Sequence, residues 1–444
     1  MIRAGDRKYL HIAMPAALEG LFMVLLSSVD IIMVGALGTA AIAAVSIFTQ
    51  PRMMLLCVVR SVASVLTLLT ARKYGEGNLQ EVPALLSRTL FCMVLLMGAL
   101  HLLFFWQLES ILGWMGAGEE YLDAALSYGD LALAGVFLTT LATTLQAVQL
   151  GYGRTKEVMS ANVQGNLVNI LGNALFIFGL GPFPELGVVG AAVGTVLGTG
   201  WTLVVTGWQL RAEKMAAGLA EFLPTGAYFR EFLPVFGGVF SEQGFERLGM
   251  VLYTRMVAEL GTAAYAVHAI CMNFCDFYYC FAGGLGKANM VMAGHAHGAG
   301  DWGYWQRQLK AGLKWSFLFS LLAFVLTFAL REEIFGIYAH EAELLPLGAL
   351  IMALVAAVSF PEAHALVCAG VLRGSGRTSQ VAAYSFVSIA FLRPLITYFF
   401  LQILHMGLPG AWLALALDQS LRASCASFLL WRLWRQRPRV ACET

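Results

Sequence analysis

The chain has 444 residues, of which 59% are hydrophobic and only 12% are charged, and its formal net charge is +1. Soluble globular domains carry about a quarter charged residues, so this composition excludes an ordinary soluble fold. Apolar runs of about 18 residues or more recur along the chain, and they are continuous, unlike the alternating strands of a membrane barrel.

Twelve such runs follow one another, each long enough to cross a hydrocarbon core as a helix. They cover approximately residues 12–36, 44–70, 84–106, 124–150, 160–181, 187–210, 232–258, 266–294, 311–330, 346–372, 380–404 and 409–433. The longest polar connections, about 210–231 and 295–310, are too short to fold alone. We therefore predict an all-α integral membrane protein with twelve transmembrane helices.

The chain also repeats itself at an offset of 223 residues. Three motifs recur at that offset: Leu37–Ala41 as Leu260–Ala264, Gly75-x-Gly77 as Gly298-x-Gly300, and Gly151–Thr155 as Gly374–Thr378. Each copy holds six spans, an even number, so both copies enter the membrane in the same orientation. We predict two six-helix bundles related by a pseudo-two-fold axis along the membrane normal. The predicted parts are an N-lobe (1–210), a cytoplasmic linker (211–231) and a C-lobe (232–444), with a substrate cleft between the lobes.

The basic residues predict the orientation in the membrane. Of the 28 Lys and Arg residues, twenty fall on one face, Arg331 falls on the other, and seven lie within spans. The positive-inside rule then places both termini in the cytoplasm of a multi-pass protein of the cell (cytoplasmic) membrane. The eight cysteines are scattered through the spans with no CxxC and no metal-ligand spacing, so we interpret them as buried apolar side chains.

Ionisable and amide side chains inside the N-lobe spans are candidates for function. A charged side chain at mid-bilayer costs roughly 2.5–3.5 kcal/mol on insertion scales, so such residues face water or a partner. Asp30 lies in span 1 with no basic residue within one turn, and four asparagines share a broad face of span 5: Asn162, Asn166, Asn169 and Asn173. A carboxylate with amide and hydroxyl oxygens suits a hard monovalent cation or a proton. The amides are equally suited to hydrogen bonds between helices, and the residues alone leave both interpretations open.

The C-lobe spans contain further charges. Glu242 and Glu246 are one turn apart in span 7, and Glu362 follows Pro361 in span 10, where proline frees a backbone carbonyl. A desolvated carboxyl group there would bind and release protons near neutral pH. Glu246, Asp276 and Arg393 are candidates to line the substrate cleft, together with Met and aromatic side chains. Asp418 and Arg422 have the spacing of an i,i+4 ion pair, and Pro15 and Pro394 mark candidate bends.

Several of these segments resemble the multidrug and toxic compound extrusion (MATE) antiporters, over about residues 8–433. Val29–Gly35 with Leu37-Gly38 is similar to the first-span signature of the family, and Gly151–Gly153 and Leu372–Thr378 are similar to its paired cytoplasmic turns. The resemblance implies export of amphipathic, often cationic, organic compounds driven by inward flow of Na⁺ or H⁺ through alternating access. It also implies no cofactor besides the coupling ion. The expected partners are small organic substrates and the lipid bilayer, without nucleic acid, for a protein that acts as a monomer.

The resemblance also implies two sets of coupling residues. In the N-lobe, Asp30 matches the first-span Asp, Asn169 and Asn173 match the span-5 positions, and Thr195 matches the span-6 threonine, a set that would also suit Na⁺. In the C-lobe, Glu242 follows Leu233-Pro234 at the family spacing, and Glu362 stands where some relatives have Asp. Both lobes therefore hold candidate sites for cation or proton coupling.

Three functions other than export are a flippase, an enzyme and a channel. The main alternative is a flippase for lipid-linked oligosaccharides or lipids, from the wider superfamily, but such proteins commonly have more spans and a strongly basic cavity. The sequence contains no nucleophile elbow, HExxH or P-loop motif, so we expect neither an enzyme nor direct use of ATP. A channel rarely requires a two-lobed plan.

Overall fold

The computed structural model describes residues 4–115, 118–212, 219–338 and 342–436, and these are helical without any strand. The α-helices are α1 (Ala4–Gly35), α2 (Thr39–Gly75), α3 (Val82–Trp114), α4 (Glu119–Gly151), α5 (Thr155–Ile177), α6 (Val188–Ala212), α7 (Gly226–Ala258), α8 (Thr262–Gly298), α9 (Trp302–Ala329), α10 (Arg331–Tyr338), α11 (Leu345–Gly374), α12 (Thr378–Ser385), α13 (Arg393–Tyr398) and α14 (Gly407–Arg435). Two π-helical segments, Phe386–Leu392 and Phe399–Ile403, flank α13, and short 3₁₀ turns cover Leu79–Glu81, Leu219–Phe222 and Ala342–Leu344.

One long helical segment corresponds to each predicted span. If α12, α13 and their π-helical segments are counted as one broken helix, the described residues contain twelve segments of 23 residues or more. Eight of the twelve are long and apolar enough to cross a membrane. The other four, α5, α7, α8 and α14, carry the asparagines and charges noted in the sequence. The helices that do not meet this criterion therefore hold more than half of the candidate site residues.

The sequence repeat reappears in the backbone conformation. Three glycine pairs, each 223 residues apart, have matching positive φ angles: Gly38 and Gly261 (104° and 100°), Gly77 and Gly300 (76° and 66°), and Gly153 and Gly376 (79° and 76°). Positive φ angles are readily adopted by glycine and rarely by other residues. The repeated glycines therefore mark equivalent turns between helices in the two halves of the chain.

The helices group into two compact units, which we call the N-unit and the C-unit. The N-unit consists of residues 21–236, and the C-unit consists of residues 1–20 and 237–444. Helices α1 and α7 each contribute to both units, so the unit boundaries differ from the sequence-based lobes at these two segments. Within the predicted linker 211–231, residues 213–218 lie outside the described part of the chain.

Close packing of α5 against α6 positions the polar residues of the N-unit. A Cβ atom built at Gly198 of α6 would lie 2.5 Å from the carbonyl oxygen of Gly165 on α5. Small residues at helix contacts allow backbones to approach closely within a membrane. The asparagines of α5 therefore lie directly against the backbone of α6.

In the C-unit, α11 is the central helix and packs against α8, α9 and α14. A Cβ atom built at Gly370 of α11 would lie 2.2 Å from the carbonyl oxygen of Gly286 on α8, so glycine is required there. A buried cluster that includes Tyr253, Met352 and Trp412 fills the space beside these helices. This packing surrounds the charged residues of α7, α11 and α14 with apolar side chains.

Candidate functional site

The four predicted N-lobe residues lie close together in the N-unit, and we call them the N-site. The Asn173 amide donates a hydrogen bond of 2.8 Å to the Asp30 carboxylate, which joins α5 to α1. One turn away, the Asn169 amide donates to the Thr195 hydroxyl at 3.3 Å, which joins α5 to α6. Asp30 is partly exposed, whereas Asn169 and Asn173 are buried. The N-site therefore combines one acid with neutral polar ligands.

The N-site also contains a hydrogen-bond acceptor, the amide oxygen of Asn173. The amide oxygen of Asn173 is buried and has no hydrogen-bond partner among the described residues. Gly194 provides its space, because a Cβ atom built there would lie 2.1 Å from that oxygen. Hard cations prefer carboxylate, carbonyl and hydroxyl oxygens. The carboxylate of Asp30, this amide oxygen and the hydroxyl of Thr195 are oxygen atoms of the kinds that such a cation prefers.

The asparagines of α5 divide into two pairs with different surroundings. Asn162 accepts a hydrogen bond of 2.8 Å from Gln146, and Asn166 donates to the Asn162 carbonyl oxygen at 2.8 Å. These two make contacts within and between helices, whereas Asn169 and Asn173 belong to the N-site. Hydrogen bonds between helices therefore involve both pairs of asparagines, and binding of a cation or proton at Asn169 and Asn173 stays a prediction.

The structure adds a basic residue that the sequence did not place at the N-site. The positive charge of Arg52 on α2 interacts with the Asp30 carboxylate, and its guanidinium is hydrogen-bonded to Tyr128. No base lies within one turn of Asp30 on its own helix, and Arg52 approaches from the neighbouring one. Only tertiary packing reveals this contact.

In the C-unit, Glu242 is held by an arginine. Arg373 on α11 donates two hydrogen bonds to the Glu242 carboxylate, at 3.0 Å and 2.5 Å. Glu242 is only 4% exposed, so this bidentate pair compensates a buried charge. Arg373 lies in the predicted cytoplasmic turn Leu372–Thr378, and the sequence did not predict it as the partner of Glu242.

Glu362 has different surroundings. It is buried on α11, no ion pair to it is found within the described ranges, and the Cys275 thiol lies 3.9 Å from its carboxylate. It experiences attraction from Arg422 and repulsion from Asp276 and Glu246. Glu242 and Glu362 are therefore in the same unit but in different environments.

The cleft candidates Glu246 and Asp276 have polar neighbours in the C-unit. Tyr279 donates a hydrogen bond of 3.2 Å to the Glu246 carboxylate, and Arg422 attracts the same carboxylate. The charge of Asp276 is stabilised by Arg247. Both acids are thus part of a mixed group of charges that spans α7, α8 and α14.

The third cleft candidate, Arg393, is buried in an ion pair. It is 2% exposed and binds Asp418, with an Nε–Oδ2 distance of 2.9 Å, while Ser388 donates a hydrogen bond to the same carboxylate. Asp418 therefore pairs with Arg393 rather than with Arg422 at the i,i+4 position. This location favours a role inside the C-unit over direct contact with substrate.

Known protein sequences are similar to this chain over most of its length. The sequence profile of the MatE family matches residues 15–175 and 232–399. A probable multidrug resistance protein NorM from Thermotoga maritima is 24% identical over 436 residues, covering 97% of this chain and 93% of that protein. An uncharacterized transporter, YisQ of Bacillus subtilis, is 20% identical over 427 residues, covering 95% and 92%.

Solved structures are similar over nearly the full length. The crystal structure of a mutant of the Vibrio cholerae MATE transporter VcmN gives a TM-score of 0.91 at 16% identity, covering 97% of each chain. A MOP superfamily transporter from Pyrococcus furiosus gives a TM-score of 0.89 at 18% identity, covering 98% of this chain and 96% of that one. At such low identity these similarities show the fold, and they confirm the predicted all-α membrane architecture.

The profile matches well over half of the chain, and it does so in two parts. The first part lies in the first copy of the 223-residue repeat and the second part lies in the second copy. The family resemblance inferred from short motifs is thereby confirmed over most of the chain. The protein belongs to the MatE family of multidrug and toxic compound extrusion transporters.

Proposed function

We propose that the protein is a secondary active multidrug exporter of the cell membrane. It would exchange amphipathic, cationic organic compounds for Na⁺ or H⁺ by alternating access. Membership of a transporter family supports the transport activity, and the relatives described as multidrug resistance proteins support the substrate class. The composition of the N-site, with one acid among neutral oxygen ligands, is the observation that carries the coupling mechanism.

The pair formed by Asp30 and Asn173 suits a site that alternates between two charge states. When Asp30 is ionised, the Asn173 amide donates a hydrogen bond to it, as the structure shows. When Asp30 is protonated, its hydroxyl becomes a donor and the Asn173 oxygen can accept after the amide rotates. A bound cation would instead be held by the carboxylate and the neutral oxygens. The Asp30 carboxyl group and the Asn173 amide therefore remain hydrogen-bonded to each other in both protonation states of Asp30.

The membrane potential would supply the driving force at this site. Moving one elementary charge across an inward-negative potential contributes roughly 2.3 kcal/mol per 100 mV. Binding at Asp30 would change the relative stability of the inward- and outward-open states by the difference in cation affinity between them. Glu362 is the second coupling candidate, whereas Glu242 is already neutralised by Arg373.

Efflux from proteoliposomes with separately imposed Na⁺ and pH gradients tests the proposal. We expect one of the two gradients to drive export of a cationic dye by the wild type and to lose its effect in Asp30→Asn. Asp130→Asn is the matched control, because Asp130 is an exposed acid on α4 and undergoes the same chemical change. Wild-type rates for Asp30→Asn under both gradients would refute coupling at the N-site.

The same preparation distinguishes export from lipid flipping. An exporter moves the dye and leaves a fluorescent lipid in its original leaflet. A flippase would transfer the lipid and ignore the dye, and that result would replace the proposed function by the alternative.

A further inference from the structure

The two halves can be aligned residue by residue near the N-site. The α5–α6 connection has backbone hydrogen bonds from Leu180 N to Leu175 O and from Leu186 N to Phe176 O. The α13–α14 connection has a similar pair: the bond from Leu404 N to Phe399 O has the same spacing as the first, and the bond from Met406 N to Phe400 O closes a shorter loop than the second. Gly187 and Gly407, which follow directly, both have positive φ angles, 55° and 60°. These backbone features therefore define equivalent positions in the two copies.

This alignment changes the offset between the copies from 223 to 224 within the fifth helix and to 220 in the sixth. The extra residue in the fifth helix lies in the π-helical segment Phe386–Leu392, because each π-helical turn accommodates one more residue than an α-helical turn. The equivalent pairs are Asp30 and Tyr253, Asn169 and Arg393, Asn173 and Thr397, and Gly198 and Asp418.

Contacts within each unit agree with this assignment. In the N-unit, a Cβ atom built at Gly198 would lie 2.6 Å from the Asn169 Cβ, so position 198 faces position 169. In the C-unit, the equivalent residues Asp418 and Arg393 form the buried ion pair. Ser388, which is equivalent to Gly165, donates to Asp418 just as Gly165 packs on Gly198. The C-unit thus contains a counterpart of the N-site, which we call the C-site: Tyr253, Arg393, Thr397 and Asp418.

The C-site differs from the N-site in its charges. The tyrosine hydroxyl of Tyr253 replaces the carboxylate of Asp30, and the acid is supplied by Asp418 instead. The guanidinium of Arg393 replaces the amide of Asn169, binds Asp418 through Nε and Nη2, and directs Nη1 to Met250 Sδ at 3.0 Å. Arg393 is 2% exposed and Asp418 is 1% exposed. A positive group on the chain itself therefore compensates the only acid of this site.

We propose that the C-site is a cation site permanently filled by the guanidinium of Arg393, and that removing this side chain creates a binding site for a free guanidinium-type cation. Arg393 is a tethered cation that leaves Asp418 no charge to offer to an exchanging ion. Of the two equivalent sites, only the N-site is then available for ion exchange. This consequence for coupling rests on the proposed function.

The chemistry of the Arg393–Asp418 ion pair supports guanidinium as the ligand. Truncation of Arg393 to alanine leaves a cavity of the shape of the lost side chain and a buried carboxylate that has lost its ion-pair partner and keeps only the longer-range attraction of Arg422. Guanidinium is planar and presents paired N–H donors to a carboxylate, which a spherical Na⁺ or a bulky choline does not. The vacated site should therefore select guanidinium among monovalent cations.

Thermal unfolding of the purified protein in detergent tests the proposal without any transport measurement. We expect Arg393→Ala to lower the Tm by on the order of 5–10 °C. Millimolar guanidinium chloride should recover a large part of this loss, whereas equal concentrations of sodium or choline chloride should not. The wild type should show no such recovery. A Tm of Arg393→Ala that guanidinium does not raise, or raises no more than it does for the wild type, would overturn the proposal.

A second variant covers the case in which Arg393→Ala does not fold. Arg393→Gln combined with Asp418→Asn removes both charges and leaves neutral, hydrogen-bonding side chains of similar size. If Arg393 serves only to balance Asp418, this double variant is recovered with a Tm near that of the wild type and without a guanidinium response. A double variant that is as unstable as the single one, or that responds to guanidinium, contradicts the assignment. Because these readouts do not involve export, a failure of the proposed function would be recognised separately.

Discussion

The N-site and the C-site occupy equivalent positions in two copies of one repeat, yet they have different charges. The N-site holds a partly exposed carboxylate among amides and a hydroxyl, and one of its amide oxygens has no partner among the described residues. The C-site holds a carboxylate that is fully buried and bound to an arginine. An equivalent backbone therefore carries a partly exposed acid among neutral polar groups in one unit and a buried ion pair in the other, depending on a few side chains.

The same contrast extends to the acids outside these two sites. Glu242 of the C-unit is bound by Arg373, in the same way that Asp418 is bound by Arg393. Buried ion pairs are costly to break, because removal of one partner leaves an uncompensated charge. In the C-unit these two ion pairs join helices, whereas the N-site is the place where we propose that a cation or proton binds. Three substitutions test this contrast, in order of decreasing expected effect.

The largest effect is expected for Arg373→Gln. This change leaves Glu242 buried without its bidentate partner, which destabilises a protein by about 3–5 kcal/mol. Arg255→Gln on α7 is the control, because Arg255 is 81% exposed and its contact with Glu259 is a surface pair worth at most about 1 kcal/mol. Thermal unfolding in detergent measures both. Equal stability of the two variants would show that the Glu242 pair is not structural.

An intermediate effect is expected for Gly194→Ala at the N-site. The added Cβ would lie 2.1 Å from the Asn173 amide oxygen, so the amide must move away from Asp30. Overpacking of this kind costs about 1–3 kcal/mol, and we expect cation-driven efflux to fall more than stability does. Gly207→Ala on the same helix is the control, because a Cβ there meets no atom within 4 Å. Normal efflux by Gly194→Ala would show that the position of Asn173 does not matter for coupling.

Most of the fold could be predicted from the sequence, because the membrane restricts the possible architectures. Backbone polar groups must be satisfied inside each segment, so continuous apolar runs become helices. The helix ends were less predictable: α2 and α8 each have 37 residues and extend beyond the predicted spans 44–70 and 266–294. Hydropathy detects the apolar part of a helix, whereas the helix continues into the polar region.

The two prolines that mark candidate bends, Pro15 and Pro394, lie in different helical surroundings. Pro394 lies at the start of α13, directly after the π-helical segment Phe386–Leu392. Pro15 lies inside α1, which continues through it without interruption. Proline removes a hydrogen-bond donor at both positions, but whether the helix breaks depends on the packing around it, which the sequence does not show.

The candidate sites were predictable in composition but not in pairing. Asp30 and the asparagines of α5 could be named because they are polar residues inside predicted spans, and the family resemblance selected Asn169 and Asn173 and added Thr195. Their basic neighbour Arg52, and the pairs Glu242–Arg373 and Asp418–Arg393, come from different helices. The i,i+4 rule pointed instead to Arg422, since it considers one helix alone. Only tertiary packing decides which arginine reaches which acid.

The smallest effect is expected for Thr195→Val, which tests the contribution of a neutral ligand at the N-site. Valine preserves the shape of the side chain and removes the hydroxyl that accepts a hydrogen bond from Asn169. A single hydrogen bond contributes about 0.5–1.5 kcal/mol, so the cation concentration for half-maximal efflux should rise about 2- to 10-fold. Thr199→Val is the matched control, because the hydroxyl of Thr199 is bonded only to carbonyl oxygens of its own helix. An equal change in both variants would mean that the effect arises from α6 as a whole. A change in Thr195→Val alone would show that this hydroxyl belongs to the exchangeable site, which its counterpart Leu415 in the C-unit cannot provide.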